Sequence, residues 1–401
     1  MTEAGEIIVV GAGPAGLAAG CALAAAGLSV TVVGPPAPAD ADREGRTAAL
    51  FPAALAVLDA MGVLSDVAPV SAAITAIRIV DDMGRLLRAP EVRFDAADMG
   101  LAVLARNIPN GPLVRALEGR AASLPTLQRR PETATEVVPD PTGVTVRLTG
   151  GACLRAALVV AADGRRSMAR EAAGIAVDAW TYPQTAITTA FSHSRPHGGV
   201  STEFHRPAGP FTVIPLPSDR SALVWLESPA EAERLTGLDD AAFRGVVQER
   251  LNGLLGAVGA IAPRVGYPMG GLIAAQRGAR RIALVGETAH AFPPIGAQGL
   301  NLTLRDIAEL TRLVVAAQGA GKDIGDDGVV AAYDAARSGD VARRVYGVDL
   351  LNRSLLAGPA AGLARGAGLH VLHAVPALKR FAMRQGYGAA ETAGRQAPPT
   401  P

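Results

Sequence analysis

Cysteine is scarce in this chain: Cys21 and Cys153 are its only two thiols among 401 residues. Two are too few for a disulfide framework or a zinc site, and both read as small buried side chains. An excess of either charge is also missing, since 38 Lys and Arg stand against 37 Asp and Glu, a net charge of +1. That balance excludes the concentrated basic surface on which nucleic-acid binding depends. The opening Met1 to Glu6 has no Lys or Arg, whereas a signal peptide begins with positive charge. No long apolar run is unbroken. Leu17 to Val33 is interrupted by Gly27 and becomes β-branched after Leu28, which reads as a helix followed by a strand and not as a membrane span. These absences place the protein in the cytoplasm, with contact at most peripheral at the inner face of a membrane. No repeat of fixed period is evident. No metal site is expected either: His193 and His197 flank Arg195-Pro196 in a loop, and His370 and His373 read as interface or solvent residues.

What is present is globular. Hydrophobic residues make up 49% and charged residues 19%, enough for a sizeable core in two or three domains. Glu6 to Val10 reads as a buried strand, Leu17 to Ala26 as a helix and Leu28 to Val33 as a second strand, the length of a parallel βαβ unit. Thr47 to Met61 reads as one helix ended by Gly62, and Ile74 to Pro90 as strands around a turn at Asp81-Asp82-Met83-Gly84. Gly111 to Leu124 reads as a helix, Thr135 to Leu148 as a hairpin, and Leu158 to Ala162 as another buried strand. Between Thr181 and Pro268 the texture changes to short β-rich runs punctuated by Pro and Gly, which we read as an antiparallel sheet inserted into an α/β domain. Trp225 is expected in its core. Arg281 to Val285 restores the parallel-strand texture, and Leu300 to Ala316 is helical.

Between the first two strands lies Gly11-Ala12-Gly13-Pro14-Ala15-Gly16. Its three glycines have distinct jobs in a dinucleotide turn: the tight bend, close backbone approach to a pyrophosphate, and close helix–strand packing. The helix start adds N–H groups and a positive dipole end. An acid about 20 residues on should hold the adenosine ribose, yet Gly34 stands at that strand end, with Asp40 and Asp42 in the loop beyond. No second turn of this kind exists. Gly319-Ala320-Gly321-Lys322-Asp323 lacks the spacing and the final Ser/Thr of a phosphate loop.

Two further segments carry a resemblance. Asp163-Gly164, with Ser167 and Arg170 at fixed spacing, resembles the Asp-Gly motif of flavoprotein aromatic hydroxylases. Gly286-Glu287-Thr288-Ala289-His290-Ala291-Phe292-Pro293-Pro294-Ile295-Gly296-Ala297-Gln298-Gly299-Leu300-Asn301-Leu302, running on to Arg305-Asp306, resembles their second FAD motif. It is most similar to that of the UbiH/UbiF-like hydroxylases of ubiquinone biosynthesis. Arg46 to Leu50, Ile108 to Leu117, the sheet from Glu203 to Trp225, and Tyr333, Arg337 and Asp340 extend the likeness along most of the chain.

The resemblance implies an α/β fold: a Rossmann-like FAD-binding domain of the GR2 type, an inserted antiparallel β-sheet substrate domain, and C-terminal helices. The boundaries it suggests are 1–72, 98–178 and 270–348 for the FAD-binding domain, 73–97 and 179–269 for the substrate domain, and 349–401 for the helical region. FAD is the implied cofactor, held by Gly11, Gly13, Ala15, Gly16, Arg46, Asn110, Asp163, Gly164, Glu287, Gly296, Gly299, Leu300 and Asn301. His290 and Pro293 are the implied catalytic positions beside the flavin. Electrons come from NAD(P)H visiting transiently or from a redox partner.

The implied reaction is hydroxylation of a polyprenylated phenol by dioxygen. Hydroxylation of another apolar aromatic, and a flavin-poor assembly subunit of a quinone-synthesis complex, are the alternatives. The second is motivated by three departures: Gly34, Gly111 where the family has Arg, with Arg106 nearby, and Glu287 where it has Asp. The stretch from Leu350 to Tyr387 mixes apolar residues with Arg353, Arg365, Lys379, Arg380 and Arg384, a surface suited to lipid, to a quinone-synthesis complex, or to packing on the FAD domain.

Overall fold

A computed structural model describes residues 2–3, 6–36, 45–84, 89–357, 368, 370–371 and 374–387. Its centre is a sheet in which Ile282–Leu284, Leu158–Ala161, Ile7–Val10, Val30–Val33 and Leu127–Arg130 lie side by side and parallel. Gly278–Ala279 adds an antiparallel edge. Such strands must be apolar on both faces, and Ile7–Val10, Val30–Val33 and Leu158–Ala161 are buried at every position. On one face pack the helices Pro14–Ala25, Asn110–Ser123 and Gln298–Gly319, through Leu17, Leu113, Leu117, Leu304 and Leu310. On the other lies the antiparallel layer Ala134–Asp140, Gly143–Leu148 and Cys153–Ala156.

The second large sheet is mainly antiparallel. Its order runs His290–Ala291, Val265–Ala274, Val177–His193, Arg220–Glu227, Phe211–Leu216, Val200–His205, Ala76–Asp81, Val92–Asp95. Within it, Val200–His205 and Ala76–Asp81 pair in parallel, a departure from the antiparallel expectation. Trp225 is fully buried, with its ring against Phe211 and Phe243. Two of the suggested domain boundaries, 178/179 and 269/270, fall inside the paired strands Val177–His193 and Val265–Ala274. The chain is continuous β-structure there, with no linker.

Other elements differ from the sequence reading. Thr47 to Met61 is not one helix: Thr47–Leu50 is a strand paired with Ala105–Pro109, and the helix begins at Pro52. Tertiary contact decides this, because the Asn301 side chain accepts from Phe51 N at 2.8 Å and donates to Ala49 O at 2.8 Å, holding the segment extended. The strands expected over 74–90 divide between sheets as Ala72–Ile74 and Ala76–Asp81, and the return strand starts beyond Pro90 at Val92. His193 ends a strand and is buried, its ring nitrogens facing Arg195 O and Ser221 Oγ. No group of metal-ligating side chains occurs among the described residues. Cys21 is buried, which pushes its thiol up to about 11, but Cys153 is partly exposed, against expectation. Gly319–Gly321 ends a helix, with Gly321 at φ +66° and Lys322 N donating to Ala317 O. Asp40, Asp42, His373 and the tail beyond Tyr387 lie outside the described residues.

Candidate active site

The glycine turn is where the first helix meets the parallel sheet. Gly11 has φ +110°, and a Cβ there would lie 2.2 Å from Ala162 O. A Cβ on Gly16 would lie 1.8 Å from Gly11 O. Both glycines are therefore required by the protein's own backbone. Gly13 is different: it is exposed, its backbone is extended (φ −74°, ψ −177°), and a Cβ would meet nothing within 4 Å. Its neighbourhood is open where a phosphate would approach, and the helix behind it begins with Pro14 and has no acidic residue in its first turn to neutralise the dipole. The turn thus fits a pyrophosphate.

Gly34 has a structural cause of its own. Its φ is +149°, and a Cβ would sit 2.8 Å from Ala12 N. The strand end presses on the glycine turn, so the position where an acid was expected has no room for a side chain.

Three distant segments converge here. Gly11 and Gly16 abut Ala162, which leads into Asp163, while a Cβ on Gly286 would lie 3.0 Å from Ala15 Cβ. Gly164 N donates to Thr288 Oγ1 at 3.1 Å. The Asp163 carboxylate is turned into its own segment, accepting from Ser167 Oγ at 2.6 Å and from Ala169 N at 3.2 Å. Arg170, 4% exposed, ties the two motifs by donating to Thr288 O at 3.0 Å. Glu287 is exposed and pairs with Arg165 at 3.1 Å, a surface pairing of the kind that contributes about 0–1 kcal/mol.

Arg46 and Asn110 are also neighbours, since Asn110 N donates to Arg46 O at 3.0 Å. The Arg46 guanidinium lies 5.1 Å from the centre of the Tyr267 ring. Gly111 is buried just inside its helix, and Arg106 is turned elsewhere, donating to Ser71 Oγ at 2.9 Å.

The segment from His290 to Gln298 leads from the second sheet to the start of the Gln298–Gly319 helix, which packs on the parallel sheet. His290–Ala291 is the edge strand of the second sheet. The chain then passes buried Pro293 and reaches Gly296 and Ala297, both left-handed at φ +67° and +55°, before the helix starts at Gln298. Gly299 is exposed, and a Cβ there would meet nothing within 4 Å. Leu300 is partly buried against the main core. This second helix start also lacks an acid in its first turn. His290 does not face an open pocket. It is 2% exposed, its ring stacks on Phe292, and Nε2 donates to Asp306 Oδ2 at 2.6 Å. Asp306 in turn accepts from Arg337 Nε at 2.7 Å. Asp306, Thr288 and Tyr267 were not among the residues expected to build the site.

The comparisons with known proteins agree with this geometry. Residues 5–346 match the family described as FAD binding domain. The chain belongs to that family. This flavoprotein is 36% identical over 388 residues to the ubiquinone hydroxylase UbiL of Rhodospirillum rubrum, covering 96% of the chain and 89% of the relative. It is 30% identical over 393 residues to the 3-demethoxyubiquinol 3-hydroxylase of Escherichia coli, covering 96% and 98%. Its fold matches the crystal structure of p-nitrophenol 4-monooxygenase PnpA from Pseudomonas putida, with a TM-score of 0.78, 21% identity, and 97% and 99% coverage.

Proposed function

We propose that the flavoprotein is an FAD-dependent monooxygenase that hydroxylates the aromatic ring of a polyprenylated phenol during ubiquinone synthesis. The observation that carries this reading is near full-length similarity to two ubiquinone hydroxylases, in a chain whose three nucleotide motifs converge on one turn.

In this reading the pyrophosphate lies on Gly13 and the helix start, with Gly11, Ala15 and Gly16 shaping the bend. Arg46, Asn110, Asp163, Gly164 and Glu287 line the middle of the cofactor. Gly296, Gly299, Leu300 and Asn301 meet its ring end. When bound, FAD would carry two electrons from NAD(P)H or a redox partner to dioxygen, so that one oxygen atom enters the ring and the other leaves as water. The chain's own part is to bind, orient and keep water out. The helix start at Gln298–Asn301 directs a positive dipole end at charge that develops nearby. Tyr267, Met269, Phe292 and Ile295 form an apolar wall between the second sheet and the Asp327–Leu356 helix, suited to a greasy ring. Pro293 stiffens that wall. His290 serves as its buried anchor, since acid–base work would require Nε2 to leave Asp306.

Purified protein is expected to be yellow, and to consume dioxygen in step with a 16-mass-unit gain on a short-chain prenylphenol. A colourless protein that takes up no added FAD, yet co-purifies with other quinone-synthesis enzymes, would replace this reading with the assembly-subunit one.

A membrane-dissolved substrate would also be met at a lipid surface. No single described helix is long and apolar enough to cross a bilayer. Tyr346, Leu350, Val375, Leu378 and Phe381 are exposed, Arg343, Arg353 and Arg380 are exposed with them, and 354–390 contains no Asp or Glu. Exposed apolar side chains interspersed with cations suit an anionic bilayer surface, even with Arg353 paired to Asp349 at 2.8 Å and Arg343 4.0 Å from Asp340. The protein is expected to float with vesicles containing phosphatidylglycerol, and Leu350→Glu with Phe381→Glu to remain in the soluble fraction; equal flotation of both would remove the proposal.

A further inference from the structure

The Asp327–Leu356 helix carries four polar residues on one stripe, at positions 333, 337, 340 and 344, and the stripe faces inward. Tyr333 is fully buried and donates its hydroxyl to Leu284 O at 2.9 Å. Below it the charges alternate. Arg337 bonds Asp306 on one side and Asp340 Oδ2 at 3.0 Å on the other. Asp340 Oδ1 accepts from Arg344 Nε at 3.0 Å, and Arg305 approaches Asp340 at 3.4 Å. Burial alone would raise the Asp340 carboxyl, but Arg344, Arg337 and Arg305 together hold it below the usual carboxylate range.

The two ends of this row reach the two ends of one segment. At the near end, Asp306 holds His290, where the chain leaves the second sheet. At the far end, Arg344 Nη1 donates to Gln298 Oε1, and Gln298 Nε2 donates to Gly296 O at 3.0 Å. Gly296 and Ala297 are the left-handed pair that turns the chain into the next helix. For a residue such as Ala297 this conformation is strained; Asn301 Nδ2 holds its carbonyl at 2.6 Å, and the Arg344–Gln298 link holds Gly296 from the other side. A buried charged row costs desolvation and is weak as a source of stability, but it specifies one geometry.

We infer that the row Asp306–Arg337–Asp340–Arg344 is a two-ended brace whose task is to hold residues 290–298 in the shape that binds the ring end of FAD. The inference rests on the FAD reading above and goes beyond it by assigning Arg344 and Gln298 as positioning residues. Neither needs to touch substrate.

The test measures FAD affinity by flavin fluorescence on titrating apoprotein, beside the visible spectrum and the apoprotein melting temperature. Gln298→Ala cuts the far end without touching the Asp327–Leu356 helix and is expected to weaken FAD roughly tenfold, the lower end of the size expected for one charge-assisted hydrogen bond, with a shifted flavin band and an unmoved apoprotein melting temperature. Arg344→Met should match it in FAD affinity and flavin band, while melting earlier because it also removes the Asp340 Oδ1 bond. The double variant should be no worse than either single one, because both break the same link. Gln298→Glu keeps an acceptor for Arg344 but loses the Nε2 donor to Gly296 O, so it should bind FAD more tightly than Gln298→Ala and less tightly than wild type. Arg312→Met, an exposed arginine on the same helix as Gln298 that pairs with Glu309 and makes no bond to the segment, is the control and should leave FAD affinity unchanged. If the wild type is yellow and Gln298→Ala and Arg344→Met bind FAD within twofold of it, or if the two losses add, the brace is overturned. A wild type that takes up no FAD overturns the cofactor reading and the brace together.

Discussion

Gly13→Val is expected to abolish FAD binding without unfolding the protein. Position 13 is exposed, extended at negative φ, and free of any atom within 4 Å of an added Cβ. A valine can therefore be accommodated by the apoprotein, and it also restricts the unfolded chain. What it occupies is the approach to the helix start. Losing two charge-assisted contacts there, at about 1.5–3 kcal/mol each, would weaken FAD by roughly a hundredfold or more. Gly16→Ala is the contrast: its Cβ would lie 1.8 Å from the Gly11 carbonyl oxygen, so the turn itself must open. The expected result is a colourless Gly13→Val with a wild-type apoprotein melting temperature, and a colourless Gly16→Ala that melts earlier. Equal melting losses in both would show that position 13 is also a packing position. Retention of FAD by Gly13→Val would put the pyrophosphate somewhere other than this turn.

The second large effect is on stability. Asp306 is fully buried between His290 and Arg337. Asp306→Ala takes from a nearly buried guanidinium one of its two carboxylates, leaving Asp340, and strips the buried His290 Nε2 of its acceptor, a loss expected at the lower end of about 3–5 kcal/mol. Replacing both partners, as Asp306→Leu with Arg337→Met, should cost much less than the sum of the single changes, since no charge is stranded. Urea unfolding of the apoproteins decides between these outcomes. A single-variant loss under 1 kcal/mol would mean that Asp340 alone satisfies Arg337 and that the row is looser than its distances imply.

The sequence made the glycine turn legible because its signal is local. The bend, the open approach and the helix start all lie within six consecutive positions, each with a stereochemical reason. The Asp163 and Gly286 motifs were legible for a similar reason, by spacing and by resemblance. What escaped was set by distant partners. Thr47–Leu50 looked helical by spacing, and its pairing with Ala105–Pro109 together with Asn301, some 250 positions away, draws it straight. Gly34 looked like a missing acid, yet the turn it crosses at Ala12 excludes any side chain. His290 looked like a pocket residue because nothing nearby in sequence announces Asp306 as its partner. One clue to the brace was visible: Tyr333, Arg337, Asp340 and Arg344 recur at helical spacing among the buried Val341 and Val345, which puts polar groups on an inward face.

The 17-residue strand Val177–His193 and its partner Val265–Ala274 pass from the nucleotide half into the substrate half, with a shift of register between Thr181 and Thr185. Neither half is a detachable module. Severing the chain at either crossing would cut a β-ladder through its middle and expose raw hydrogen-bonding edges on both fragments. Grafting a different substrate half onto this nucleotide half would have to respect the ladder's register, residue by residue, and not merely join two ends.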